Sequence, residues 1–332
     1  MFLLALVTAA IVIVVAGIVL ARSGESIADT TGIGQVWFGA IFVAGATSLP
    51  ELATDTAAVL QNEPALAVGD LFGSNMANMA ILGLLALLLP AARLFARDAV
   101  ELTITGSVAV ILTGIAALFV IARLDFSIAG AFSLGSLALL CTGAGALVLL
   151  PGYRRALAEG VLPDERPQRP RRRWPARTPV LRFAGAALAI LIAAPILASS
   201  ADELVQRSGL DATFVGVFVL AIATSLPELA TSWWAARAGA LDLAVSNLFG
   251  SNAANMMLLV WLDLIYVRAP LLDTADASAA AAGVVGILLM MVGLTAMALR
   301  AQRRRLPVET TGLIMLGAYA GGMLLVWSVG VA

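Results

Sequence analysis

The sequence predicts an all-α integral membrane protein, with ten transmembrane helices arranged as two inverted five-helix repeats. Three observations carry that prediction. Of the 332 residues, 61% are hydrophobic and only 12% charged, with a mean hydropathy of +0.98, whereas a soluble domain sits near half apolar and a quarter charged. The string ATSLPELAT occurs at 46–54 and again at 223–231; behind it LFGSN, followed by A, N and M, occurs at 71–79 and at 248–256. Every match has the same offset of 177 residues, which identifies an internal repeat. The apolar runs are long enough to cross a hydrocarbon core of about 30 Å.

Taken in order, the first span, 2–20, has no positive residue before it and no small-residue cleavage site after it, so it reads as a retained helix rather than a signal peptide. Spans at 34–60, 67–91, 99–122 and 127–151 complete the first repeat, residues 1–151. A polar linker, 152–178, follows, in and beside which Pro163, Pro167, Pro170, Pro175 and Pro179 favour extended chain. The second repeat, 179–332, has spans at 180–200, 212–236, 243–267, 277–299 and 310–330.

Charge placement gives the orientation. All 20 basic residues are Arg. With the N-terminus outside, the inner side collects Arg22, Arg93, Arg97, Arg237, Arg300, Arg303, Arg304 and Arg305, plus the Arg-rich linker and its flanks; only Arg123, Arg207 and Arg268 face out. This asymmetry matches the positive-inside rule, puts the linker in the cytoplasm of a multi-pass cell-membrane protein, and accounts for the basic run without nucleic-acid binding. Five spans per repeat is an odd number, so the two halves cross in opposite senses, the layout in which transporters place a substrate site at the midplane. Trp37, Trp233 and Trp234 at inner ends, with Trp261 and Trp327 towards outer ends, read as interfacial anchors. The chain has no His, hence no imidazole ligand or neutral-pH proton carrier. Cys141 is the lone cysteine, which leaves no internal disulfide and suggests a buried, inert thiol.

The chemistry concentrates in the repeated strings. Pro50 and Pro227 lie well inside their spans, lack an N–H and clash with the carbonyls of Ala46 and Ala223, so both helices must open there. In a membrane, freed carbonyls are tolerated only where protein, water or an ion satisfies them. Around Glu51, the same helix face carries Thr47, Ser48, Thr54 and Asp55; around Glu228 it carries Thr224, Ser225, Thr231 and Ser232. The third span adds Asp70, Ser74 and Asn78 at four-residue steps, and the eighth adds Asn247, Ser251 and Asn255. Gly73 and Gly250 let these helices approach closely. Carboxylate, amide, hydroxyl and carbonyl oxygens without sulfur or imidazole describe a site for sodium, calcium or magnesium. A central ionisable group costs about 2.5–3.5 kcal/mol on insertion scales, so two in symmetric places imply use. Of the other acids, Asp55 is placed on the outer access path, Asp70 and Asp263 near a solvated outer mouth, Glu101 in a surface pair with Arg97, and Asp202 and Glu203 at a solvated helix end.

At these residues the sequence resembles the cation/calcium exchanger superfamily, specifically the prokaryotic type of sodium/calcium exchanger with two α-repeats. The motifs stand here as Thr47-Ser48-Leu49-Pro50-Glu51 with Gly73-Ser74-Asn75 and Asn78, and as Thr224-Ser225-Leu226-Pro227-Glu228 with Gly250-Ser251-Asn252 and Asn255. The resemblance implies that Glu51 and Glu228 bridge a central calcium site and neighbouring sodium sites, with the Thr47 and Thr224 carbonyls completing calcium coordination. It assigns sodium to the Ala44 and Ala221 carbonyls, the Ser48 and Ser225 hydroxyls, and Ser74 and Ser251, with Asn78 and Asn255 lining the centre. Asn255 stands where potassium-dependent relatives carry Asp, which argues against potassium co-transport. The short linker has no room for a large calcium-sensing region.

Two carboxylates neutralised by one calcium, exchanged for about three sodium ions as the resemblance implies, make an electrogenic antiporter. No residue pattern performs bond chemistry, so an enzyme is not expected. No cofactor is implied beyond the transported calcium and sodium ions, and no protein partner beyond the lipid bilayer. Proton/calcium antiport through the same carboxylates is the alternative; a cation pore and an inactive scaffold are further ones.

Overall fold

In lipid an apolar run can satisfy its backbone only by folding as a helix or a closed barrel. The computed structural model describes residues 2–31, 35–88, 99–123, 126–129, 132–158, 177–208, 224–301 and 308–331. These are helical apart from turns and a small antiparallel ribbon, β1 (Ser127–Ala129) with β2 (Phe132–Ser133). The main helices are α1 (Phe2–Thr31), α2 (Leu49–Leu60), α3 (Pro64–Leu88), α4 (Ala99–Ala122), α5 (Leu134–Ala158), α6 (Arg177–Ser208), α7 (Leu226–Arg237), α8 (Leu241–Ile265), α9 (Ala277–Ala301) and α10 (Val308–Val331). Among the described residues seven helices, α1, α3, α4, α6, α8, α9 and α10, are long and apolar enough to cross a membrane. In α5 the stretch Leu134–Val148 is also apolar.

The ends differ from the sequence expectation, because hydropathy marks the hydrocarbon-spanning part of a helix and not its end. Helix α1 runs past residue 20 to Thr31, where Thr30 and Thr31 hydroxyls bond back to the carbonyls of Ser26 and Ile27. Likewise α5 enters the expected linker as far as Ala158, and α6 starts at Arg177; the linker between them lies outside the described residues.

The second span is broken in an informative way. A π-helical stretch, Phe38–Val43, leads into Ala44–Thr47, and the helix then stops at Ser48 (φ −87°, ψ 8°) before restarting as α2. Ser225 has the same conformation (φ −83°, ψ 2°) ahead of α7. The break therefore falls two residues before each proline. Pro50 and Pro227 sit in the first turn of the new helix, where a missing N–H costs nothing. The far ends of α2 and α7 match as well. Asn62 (φ 68°) and Gly239 (φ 86°) take left-handed conformations, and the next N–H bonds back to Ala58 (2.9 Å) and Ala235 (2.8 Å) respectively, a glycine-type C-cap that turns each chain into the following helix.

Helices α3 and α8 pack together as the most enclosed elements, with α4, α9 and the broken segments around them. Phe72 and Phe249, equivalent under the repeat, are both fully buried in the main core. Close approach depends on glycine: a Cβ on Gly250 would lie 2.8 Å from the Ala40 carbonyl carbon, and one on Gly39 would lie 3.0 Å from the Leu243 oxygen. Helices α1 and α6 run along one another outside this assembly, α1 against α7 and α6 against α2. Between them Ala9, Ile13, Ala193, Ala194 and Leu197 form an apolar cluster separate from the main core.

Several side chains stand elsewhere than expected. Cys141 is exposed rather than buried, because an outward apolar face in a bilayer meets hydrocarbon and needs no protein cover. Trp37 is buried against α1 and α8 rather than standing in an interfacial belt. Trp233 and Trp234 are half-buried beneath Arg237 and Arg22, whose guanidinium carbons lie 5.7 and 5.0 Å from the ring centroids, a cation–π arrangement. Glu101 is buried rather than on the surface, and Arg97 lies outside the described residues. Asp263 is 1% exposed and accepts bonds from the Ser133 and Leu271 N–H groups (3.0 and 2.9 Å), tying α8 to the ribbon and to the Leu271–Thr274 turn instead of facing solvent.

Gly39→Ala and Gly250→Ala should each lower the thermal midpoint of the detergent-solubilised protein, at a cost of about 1–3 kcal/mol for overpacking. Gly45→Ala and Gly69→Ala, where nothing lies within 4 Å of the added carbon, should leave the midpoint unchanged or raise it.

Candidate functional site

The two broken segments bring their motif side chains against α3 and α8. Glu51 and Glu228 sit in the first turns of α2 and α7, 1% and 0% exposed, close enough to act on one another electrostatically. The junction is made of residues from both halves. Thr47 Oγ1 stands 3.4 Å from Asn247 Oδ1 and 3.3 Å from Ser251 Oγ, and also reaches the Glu228 carboxylate. Ser251 Oγ donates to Glu228 Oε1 at 3.3 Å. Thr47, Ser48, Ser74, Asn78, Thr224, Ser225, Ser251 and Asn255 are all at most 3% exposed. The Ala44 carbonyl, expected as a sodium ligand, accepts the Ser48 N–H (2.9 Å) and the Thr47 hydroxyl (3.2 Å). Ala221, its expected partner, lies outside the described residues.

Four asparagines lock α3 to α8 with reciprocal bonds. Asn75 Nδ2 donates to the Asn252 carbonyl (3.4 Å), and Asn252 Nδ2 donates to the Asn75 carbonyl (3.3 Å). Asn78 Nδ2 donates to Asn252 Oδ1 (3.0 Å), and Asn255 Nδ2 donates to Asn75 Oδ1 (3.2 Å). Each bond is the repeat image of another. One half is anchored further, since Asn75 Nδ2 also donates to Thr113 Oγ1 (3.2 Å), whose own hydroxyl is committed to the Ala109 carbonyl (2.8 Å). The network fixes amide polarity: with both Nδ2 groups used, the Oδ1 atoms of Asn78 and Asn255 are left bare.

Bare oxygens are the mark of this place. Ser48 and Ser225 Oγ, Glu51 and Glu228 Oε2, and Asn78 and Asn255 Oδ1 are buried and have no hydrogen-bond partner, as is Ser74 Oγ. Six of these seven atoms form three repeat-related pairs. Burying a polar atom without a partner costs roughly 1–3 kcal/mol, and a charge more, so a set of oxygens arranged this way calls for a positively charged guest. Among the described residues no three His, Cys, Asp or Glu side chains group as a metal site; the oxygens come from hydroxyls, amides and one carboxylate per half. A cleft of about 590 Å³ beside Arg22, Asp29, Arg182 and Trp234 includes none of them.

Sequence reading missed Asn75, Asn252 and Thr113, although the two asparagines stand inside the repeated GSN string and were legible as motif letters. It also misplaced Asp70. Rather than facing a solvated mouth, Asp70 is 2% exposed and stands beside Asp55, itself 1% exposed, and both act on Glu51. The tight α2–α3 hairpin packs the two helices along their length and carries Asp70 inward.

Comparison with known proteins gives the family and the fold. The family model described as sodium/calcium exchanger protein matches residues 1–150 and 178–328. The putative antiporter CaxA of Alkalimonas amylolytica is 28% identical over 307 residues, 92% of each chain. The inner membrane protein YrbG of Escherichia coli (strain K12) is 32% identical over 236 residues, 70% of each. Among solved structures, the sodium-calcium exchanger NCX_Mj soaked with sodium and strontium shares the fold with a TM-score of 0.70 at 20% identity, over 98% of this chain and 99% of that one.

Proposed function

The chain belongs to the sodium/calcium exchanger protein family, a family of transporters and not of enzymes, and on that premise we propose that it exchanges sodium for calcium across the cell membrane by alternating access. The observation that carries this reading is the set of repeat-paired, buried, unpartnered oxygens at the junction of the two halves. Glu51 and Glu228 supply a charge of about −2, which one calcium neutralises; the Thr47 and Thr224 carbonyls and the Asn78 and Asn255 amide oxygens surround it. Sodium takes the flanking places built from Ser48, Ser74, Ala44 and their counterparts Ser225, Ser251 and Ala221. These are hard oxygen ligands of the kind calcium and sodium prefer. Because the charge carried by one calcium differs from that of about three sodium ions, exchange responds to membrane potential.

The two halves, 1–151 and 179–332, act as one transport unit of ten spans in two inverted repeats. The reciprocal asparagine bonds and the matched breaks at Ser48 and Ser225 support that relation. The Arg asymmetry supports an N-terminus outside and a cytoplasmic 152–178 linker. Helices α1 and α6, joined through their own apolar cluster, slide across the rest to open the site to either side.

Calcium uptake into proteoliposomes tests the reading. An imposed outward sodium gradient should drive uptake, and a pH gradient at zero sodium should not; the reverse result means proton/calcium antiport, and uptake with neither gradient means a pore. Glu51→Gln and Glu228→Gln should each abolish sodium-driven uptake, since each removes half of the central charge, and near-normal transport in either sinks the ligand assignment. Thr113 separates amide orientation from packing. Thr113→Val is nearly isosteric but frees the Asn75 amide, so it should raise the calcium concentration for half-maximal uptake several-fold, about the worth of one hydrogen bond. Thr113→Ser keeps the hydroxyl and should behave as the parent. The opposite ranking would show that only the methyl group matters.

A further inference from the structure

Asp55 and Asp70 are acids that the exchange site leaves unused, and the repeat supplies their control. Their counterparts in the second half are Ser232 and Asn247. There the pair is neutral and satisfied, with Asn247 Nδ2 donating to Ser232 Oγ at 3.0 Å and the Ser232 hydroxyl donating to the Ala244 carbonyl at 3.2 Å. In the first half the same two positions on α2 and α3 hold facing carboxyl groups. Both are nearly fully enclosed, and Asp55 Oδ2 and both Asp70 oxygens are without a partner. Ser74, one turn after Asp70, has a fully buried Oγ that is also unpartnered, and so is Thr54 Oγ1 next to Asp55.

Among the described residues nothing nearby supplies positive charge. Besides each other, the charged groups acting here are Glu51, one turn back on α2, and through it Glu228, both acidic. Of the helices packed on α2, namely α3, α6 and α8, none brings a basic side chain to the pair among the described residues. Two enclosed carboxyl groups side by side cannot both stay charged uncompensated, so either a cation or a shared proton offsets them.

We propose that Asp55 and Asp70 form a second divalent-cation site, a calcium-holding station between the exchange site and the α2–α3 hairpin. Up to four carboxylate oxygens, with the Ser74 hydroxyl one turn after Asp70, suit the oxygen-rich shell that calcium takes. The station belongs to the first half alone, because Ser232 and Asn247 fill the equivalent place with their own hydrogen bond. Ions entering from the hairpin side meet it before Glu51. The choice of calcium as its occupant rests on the exchange reading above.

Calorimetric calcium binding to the purified full chain in sodium-free detergent tests the station. The parent should bind two calcium ions. The double variant Asp55→Ser with Asp70→Asn, which installs the neutral pair of the second half, should bind one. Glu51→Gln with Glu228→Gln should also bind one, now at the station. Asp70→Asn alone, which lets the new amide donate to Asp55, should weaken the station's binding by roughly tenfold or more through loss of one carboxylate ligand, and it serves should the double variant not fold. A single calcium in the parent, unchanged in either aspartate variant, overturns the proposal. An infrared band of a protonated carboxyl that vanishes in the aspartate variants and that calcium does not displace also overturns it, in favour of a shared proton. If the exchange reading alone is wrong, the Glu51→Gln and Glu228→Gln variants keep transport while the aspartate variants still lose one calcium.

Discussion

A carboxylate enclosed by protein in the middle of a bilayer must meet a positive charge, and this requirement governs the molecule. Glu51 and Glu228 are almost wholly buried, and no Arg of the described residues reaches them. The cost of holding such groups is several kcal/mol each, far more than any local packing gain at the same place. A fold that keeps both in one spot is held in a state that a bound cation relieves. On the exchange reading proposed above, that relief is what draws the halves around an ion, and the unpartnered Ser48, Ser225, Asn78 and Asn255 oxygens are its further ligands.

Keeping them bare takes structure. The breaks at Ser48 and Ser225 put each glutamate in the first turn of a new helix, where backbone N–H groups point towards it and the helix dipole favours negative charge. The asparagine bonds do the complementary work on α3 and α8. By consuming every Nδ2 group they turn the Asn78 and Asn255 oxygens away from the helix contact, so the amide polarity of the site is decided one turn away from it. Close approach of the π-helical segment to α8, possible only because Gly39 and Gly250 lack side chains, then brings Thr47 within reach of Ser251 and the Glu228 carboxylate.

Much of this could be read from the chain. The repeat, the paired glutamates and their oxygen-bearing faces follow from letter spacing, because a helix face is fixed by steps of three and four. The place of the break was legible only to within two residues: proline forbids continuation but tolerates a first turn, and which residue absorbs the bend is a backbone matter. Asp70 and Glu101 were misplaced because hydropathy cannot tell a helix end in water from one folded back against a neighbour. Cys141 was misplaced for the opposite reason, since apolar surroundings in a membrane protein mean lipid as often as protein. The role of Asn75 and Asn252 lay beyond pattern reading, as it depends on which end of each amide faces across the helix pair.

The repeat relation is close in backbone and loose in chemistry, and the looseness falls on one side. Ser251 is bonded to Glu228 and Thr47, whereas Ser74 has no partner. Thr113 braces Asn75 from α4, but its counterpart is Met290, which has no hydroxyl to offer Asn252. Asp55 and Asp70 are carboxyl groups where Ser232 and Asn247 form a neutral, hydrogen-bonded pair. In two of these three places the first half is left with more unsatisfied oxygen, so a cation gains more from its contacts with α2 and α3 than from the matching contacts with α7 and α8. Two halves built on one backbone plan therefore present unequal binding energies to an ion passing between them.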